Sequence, residues 1–455
     1  MLYTGIAVYM QKLGKKTDTN MHFKIKILHI LPHAGGGVGT VLRAILTEEI
    51  NSTVYSHTIM SLDYLNQKTK EYCNSISVKW IDKIVTLPRE KINGFISEAD
   101  IVLVHWWNHP YIMQFLYNGL PPCRLLIWAH VNGFSPPQLF IPEIFEIPDF
   151  FIFSCRNSLE HQIVKELPNH LKKRLRIVKT SVRAPSESTA LPLKPNLFQA
   201  GYIGTVEPIK MHQDFLKICS EVNLPTPYLV IGGNRHNELK EKAKLIGVDS
   251  RFEIIGPVDD PIPFFQRLHV FVYPLARHHY GTGEQVLLEA MAFGAVPIVL
   301  DNPPELEIVT HEETGLVASN PTEFTEAIRI LYKNSKKRNK LVKQCYEFVS
   351  TECHIKKSID ALHNIFSESM NLKKRERHLH ICKIAGISPG SPCHLFLSSI
   401  AMRKKENLLD SDEFLVKYRH NLIHPTKGTP FHYLKMLGRD EELSKICAKL
   451  SEEYR

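Results

Sequence analysis

Two series of apolar segments, separated by stretches whose apolar positions recur at helical spacing, organise the chain. The first series comprises HFKIKILHILPHA (22–34), VYSHTIMSL (54–62), ISVKWI (76–81), DIVLVHWW (100–107), RLLIWAH (124–130) and FFIFSC (150–155). The second comprises QAGYIGTV (199–206), PYLVIGG (227–233), RFEIIGPV (251–258), VFVYPL (270–275) and VPIVL (296–300), with helical patterns near 211–221, 237–246 and 261–268. These segments are apolar throughout rather than alternating, which suits strands of a parallel sheet covered on both faces. Strand and helix alternate along the chain, an order that predicts an open α/β sheet, here built twice. APSESTALPLKPNL (184–197), rich in Pro, Ser and Ala, marks the joint. The expected division is a loose leader over 1–20, a first α/β domain over 21–185, a linker over 186–197, a second α/β domain over 198–369 and a helical extension over 370–455. Two such halves face a cleft, a common seat for a ligand.

Glycines punctuate the strand-to-helix joints of both halves. In YGTGEQVLLEAMAFGAVP (280–297), Gly281, Thr282 and Gly283 make a turn, and a helix is predicted from Glu284 to about 293, closed by Gly294. In the first half, GGGVGT (35–40) follows the first strand as a loop, and VLRAILTEEI (41–50) is predicted helical. A glycine turn feeding a helix start exposes unpaired N–H groups along the positive end of the helix dipole, which makes it an anion site. Neither loop is a Walker sequence or GxGxxG. Polar residues cluster where the strands end, and in open α/β sheets ligands bind beyond those carboxyl ends. They include His105, His130 and Asn132 in the first half and Lys210, in GTVEPIKMH (204–212), in the second. Consecutive His278 and His279 diverge and have no carboxylate at ligand spacing, so no metal is expected there.

With 455 residues, 44% hydrophobic and 23% charged, the chain has the balance of a folded multidomain protein. No apolar run reaches the ~20 residues that span a bilayer. The apolar residues 2–10 precede their positive charges, the reverse of a secretory signal, so residues 1–20 read as a loose leader, or as an upstream start with Met21 the natural one. Nine cysteines, odd in number and without metal spacing, fit reduced thiols and a cytoplasmic location. The net charge of +9 is partly local, in KNSKKRNKLVK (333–343) and KKRER (373–377). These runs read as solvated helix faces, or as contacts for a phosphate-bearing substrate or for anionic lipid at the inner face of a membrane. No aromatic–basic platform accompanies them, so nucleic acid is not an expected partner. The tail carries helical patterns at 396–408, 411–419 and 441–453, with HPTKGTPFHYLKMLG (424–438) read as a loop.

LEAMAFGAVP (288–297) and ETGLV (313–317) resemble the sugar-nucleotide region of retaining glycosyltransferases of family four, which have the GT-B fold of two Rossmann-like domains facing a cleft. The resemblance takes in roughly residues 22–369, including the 35–40 loop, WAHVNG (128–133) and 204–212. It implies a metal-independent hexosyltransferase that moves a sugar from a nucleotide-sugar donor to a glycan or lipid-linked acceptor, with no further cofactor. In that likeness Glu289 binds the donor ribose, and Lys210 meets the diphosphate together with Gly36, Gly37, Thr205 and the turn Gly281, Thr282, Gly283, Glu284 and Gln285. His130 faces the reaction centre, and His105 and Asn132 lie on the acceptor side. The sequence departs from the family pattern twice: Gly281 stands where the first of two glutamates is usual, and Thr205 where an arginine is usual. A sugar-nucleotide epimerase or phosphorylase on the same fold, or a catalytically degenerate binding subunit, remain alternatives at this point.

Overall fold

The computed structural model describes residues 24–186, 196–403, Tyr418 and 421–452. The leader over 1–20, most of the linker over 186–197 and most of the helical pattern read at 411–419 lie outside the described residues. The first domain holds a seven-stranded parallel sheet: β1 Ile25–His33, β2 Tyr55–Tyr64, β3 Lys79–Ile81, β4 Ile101–Trp106, β5 Leu125–Ala129, β6 Phe150–Phe153 and β7 Leu175–Ile177. Its spatial order is 7-6-5-4-1-2-3. The second domain holds a six-stranded parallel sheet: β8 Ala200–Ile203, β9 Tyr228–Ile231, β10 Phe252–Gly256, β11 Val270–Tyr273, β12 Val296–Leu300 and β13 Leu316–Ala318, in the order 10-9-8-11-12-13. Every residue of β4, β5, β11 and β12 is buried, which is why these segments read as unbroken apolar runs.

Both sheets reverse direction beside their first strand, between β1 and β4 and between β8 and β11. At such a switch the loops leaving neighbouring strands diverge and open a crevice. The helices that start there are α1 Gly36–Glu48 after β1, α2 Pro110–Tyr117 after β4 and α3 Gln285–Ala292 after β11. Helix α1 begins inside the glycine run, five residues before the predicted helix start at Val41. Gly36 turns the chain at φ +60°, and a side chain at Gly39 would overlap the Ala34 carbonyl. The glycines therefore let the first turn of the helix lie against the strand it follows.

The chain returns to the first domain through α4 Ile355–Met370, whose Ile355, Ile359, Leu362, Ile365 and Phe366 pack on β1, β4 and β5. The extension continues over the first domain. Arg375–Arg377 pairs antiparallel with Leu120–Cys123, and α5 Pro392–Ser399, α6 Pro430–Leu437 and α7 Glu441–Glu452 share a core with α2. Helix α6 occupies sequence read as a loop. Thr429 caps it by accepting from His432 N at 3.2 Å, and Pro430 sits at the first helical position, where its missing N–H costs nothing.

The basic run 373–377 is not a solvated helix face. It is part of that antiparallel pair, and its Arg377 is buried against Asp149 while donating to the carbonyls of Cys123 and Ile147, both at 2.9 Å. In the run 333–343, Lys337 pairs with Glu312, and Arg338 lies 5.1 Å over the Phe198 ring. Among the described residues no helix is long and apolar enough to cross a membrane.

Candidate active site

The loops at both switch points line one cavity of about 250 Å³ between the domains. From the first domain come His33 and the start of α1 at Gly35–Val38, then Trp107 after β4 and His130 after β5. From the second come Thr205 and Lys210 after β8 and the turn Tyr280–Gln285 before α3. Of the residues singled out in the sequence, Gly36, Gly37, His130, Thr205, Lys210, Gly281, Thr282, Gly283, Glu284 and Gln285 meet here. Two helix N-termini from different domains thus open onto the same space. Among the described residues the amides of Thr282, Gly283 and Gln285 have no protein acceptor.

Lys210 and Glu284 form a buried ion pair at 2.9 Å, and Tyr273 donates to the same Glu284 oxygen at 2.7 Å. Burial works against the Glu284 charge, but Lys210, His279 and the Tyr273 hydroxyl outweigh it and hold the carboxyl below its usual range. Burial likewise opposes the Lys210 charge, yet Glu284 raises its pKa. The second Glu284 oxygen is buried without a hydrogen-bond partner among the described residues. A Cβ at Gly281 would overlap the Glu284 carboxylate. The carboxylate that is three residues out of register in the sequence therefore fills the volume a residue-281 side chain would enter.

The turn before α3 is fixed from two sides. Asn132 donates to the carbonyls of His279 and Gly281, each at 2.8 Å, and its backbone N–H donates to Tyr280 O at 3.0 Å. His279 accepts from Gly281 N at 3.0 Å and contacts the buried Glu305 carboxylate at 3.1 Å through its other nitrogen. Asn132, expected on the acceptor side, is buried and committed to this brace, and it does not line the cavity. Glu289, one turn along α3, does not line it either. Burial pushes its pKa up to about 7, against the pull of Arg43 and a 3.4 Å hydrogen bond from Gln285.

His105, also expected on the acceptor side, is wholly buried, with both ring nitrogens engaged. It is one link in a row of four imidazoles. His130 Nε2 lies 2.9 Å from His105 Nδ1, His105 Nε2 lies 3.0 Å from His29 Nδ1, and His29 Nε2 lies 2.9 Å from His57 Nδ1. His57 Nε2 reaches Glu49 at 2.7 Å, and the other Glu49 oxygen takes His363 from α4. Strand register builds the row. His57 is level with Ile27, His29 with Leu103 and His105 with Trp128, so each histidine stands two residues beyond its neighbour and on the same face.

Burial lowers the pKa of His29 and His105 well below the usual imidazole range, helped by the neighbouring rings, and burial lowers His130 to about 3. Burial would raise Glu49, but the hydrogen bonds from His363 and His57 win and lower it to about 2. An ionised carboxylate only accepts, so with His57 neutral each ring must donate through Nε2 and accept at Nδ1. His130 then presents a bare Nδ1 at the cleft end of the row. Glu49, His29, His57 and His363 were not picked out in the sequence. For His29 and His57 the only signal was a histidine inside successive apolar strands, which acquires meaning through register, whereas Glu49 at the end of α1 and His363 in α4 gave none.

The architecture is the GT-B fold, and its second domain carries a glycosyltransferase signature. Residues 185–348 match the family model described as glycosyl transferases group 1. The Bacillus subtilis (strain 168) protein YtcC, named as a glycosyltransferase, is 21% identical over 333 residues, 64% of this chain and 80% of its own. The GDP-Man:Man(3)GlcNAc(2)-PP-Dol alpha-1,2-mannosyltransferase of Dictyostelium discoideum is 28% identical over 118 residues, 24% of this chain and 23% of its own. Among solved structures, Anabaena Alr3699/HepE in complex with UDP and glucose superposes with a TM-score of 0.61 at 13% identity, covering 76% of this chain and all of its own. The sucrose-phosphate synthase of Thermosynechococcus elongatus gives 0.58 at 14%, covering 76% and 99%.

Proposed function

We propose that this protein is a retaining glycosyltransferase that moves a hexose from a nucleotide sugar to a hydroxyl of a glycan or lipid-linked saccharide. The observation that carries this reading is the meeting of two helix N-termini, the Lys210–Glu284 pair and His130 in one interdomain cavity. Helix starts and a lysine suit the diphosphate of such a donor. As the bond from the anomeric carbon to the diphosphate oxygen breaks, its electron pair stays with that oxygen. The acceptor oxygen bonds to the same carbon from the same face, and its proton passes to the departing phosphate. Lys210 and the amides of Thr282, Gly283 and Gln285 then stabilise charge that grows in the transition state, with no divalent ion assigned a part. Glu284 is read as the stand-in for the carboxylate that Gly281 lacks, and Glu289 as the partner of the ribose hydroxyls. His130, with Nδ1 bare, accepts from a sugar hydroxyl.

UDP and glucose bound in the Anabaena structure, and GDP-Man in the name of the Dictyostelium transferase, suggest which donors to try first. The test is thermal shift with UDP, GDP and ADP, followed by turnover of the matching nucleotide sugars with the product anomer read by NMR. A ligand at 100 times its Kd should stabilise the fold by ~2.7 kcal/mol. No shift with any of the three removes the donor assignment, and an inverted product anomer removes retention.

A further inference from the structure

Lys210 enters the cavity already neutralised by Glu284, so the pair brings no net charge to an anion. A second lysine lines the same cavity and comes from the C-terminal extension. Lys427 Nζ lies 5.9 Å from the centre of the Tyr280 ring, on which Lys210 Nζ also bears at 5.7 Å, and 5.8 Å from the Trp107 ring. Among the described residues it has no carboxylate at ion-pair distance and no hydrogen-bond partner for its ammonium. We propose that Lys427 is the unneutralised cation of the diphosphate site, so that the extension supplies a donor-binding residue to the cleft. The inference rests on the nucleotide-sugar reading above.

The backbone around Lys427 is held firmly for a residue in a loop. Gln138 donates to the Lys427 carbonyl at 2.6 Å, and Gly428 N donates to His432 Nδ1 at 3.1 Å. Lys427 has φ +66° and Gly428 φ +80°, and a side chain at 428 would overlap the Asn108 carbonyl. A lysine at positive φ is uncommon and persists where its surroundings over-determine it. The same segment touches both domains. His424 contacts the Glu207 carboxylate of the second domain at 3.3 Å, and Asn421 donates to Pro136 O of the first at 3.0 Å. The lysine is therefore brought to the mouth of the cleft by a strap fixed on either side of it. A lysine serving only the surface would need none of this, because its charge could remain in water.

The test is calorimetric binding of UDP, GDP and ADP, their nucleosides and inorganic pyrophosphate to the full chain and three variants. Lys427→Gln should weaken the nucleoside diphosphate and pyrophosphate about tenfold or more while leaving the nucleoside unchanged. Lys427→Arg should stay within about threefold of the parent. Lys336→Gln, an equal charge change on the exposed start of the helix at 335–351, should do nothing. Melting temperatures of all variants separate loss of the site from loss of the fold, and Lys427→Met, which keeps the stem and removes the charge, takes the same reading if Lys427→Gln unfolds. Equal diphosphate affinity in Lys427→Gln and the parent, or a matching loss of nucleoside affinity, overturns the inference and leaves the transferase reading standing. A parent chain that binds none of the diphosphates overturns both.

Discussion

Glu289 is an acid that burial keeps protonated far above its ordinary range, up to about 7 from 4.5. A carboxyl whose folded pKa lies above its unfolded one stabilises the fold fully below 4.5, and that contribution is lost as pH rises toward 7. The expected loss is on the order of 3 kcal/mol, and Glu289→Gln should flatten it; urea denaturation between pH 4 and 8 measures both curves. Ribose hydroxyls donating to this group favour its charged form, so nucleotide binding near pH 6.5 should release a proton in the parent and none in the variant. Calorimetry in two buffers of different ionisation enthalpy reads that difference. Unchanged nucleotide affinity in Glu289→Gln would remove the ribose assignment. For Lys210 the difficulty is separating chemistry from folding. Lys210→Ala leaves Glu284 buried and unpaired, a change that costs about 3–5 kcal/mol. The double variant Lys210→Met with Glu284→Gln should recover most of that stability and none of the turnover. Recovery of turnover would make Lys210 structural.

At the scale of elements, burial on both faces made most strands legible. Strands β4, β5, β11 and β12 lie within the expected segments because burial between two helical layers selects apolar side chains, with the hydrogen-bonded His105 of β4 the exception. The edge strands β7 and β13 were not read as strands, since three residues carry no period and an edge is covered on one side only. The start of α1 was misplaced because glycine signals a turn in sequence, whereas here it serves close packing on Ala34. Helix α6 was hidden by the polar residues around it. Its Tyr433 is fully buried and donates to Asn108 Oδ1 at 2.6 Å, and Asn108 in turn donates to Ser399 at the end of α5. Tyr433→Phe would leave that buried acceptor unmet and should cost about 1–3 kcal/mol, with an unchanged denaturant slope. A loss under 0.5 kcal/mol would show that the extension is only loosely attached there.

At the scale of the whole molecule, the cleft is assembled from three parts of the chain, and the sequence disclosed two. Glycine turns and strand ends announced the contributions of the two domains, whereas Lys427 and Gln138 follow no motif and are found only where the strap crosses. Because the first domain supplies His130 and the second most of the proposed nucleotide contacts, His130→Ala should lower turnover at least tenfold while nucleotide affinity moves by less than about threefold; equal losses in both would argue against that division of labour. The histidine row extends this division beyond the cleft. Its polarity is set where it begins, because the Glu49 carboxylate can only accept. That one constraint passes from ring to ring, and it decides that His130 Nδ1 offers the cleft a lone pair rather than a hydrogen. A carboxylate beside α4 thus fixes, through hydrogen positions alone, what the far end of the row shows to the cleft.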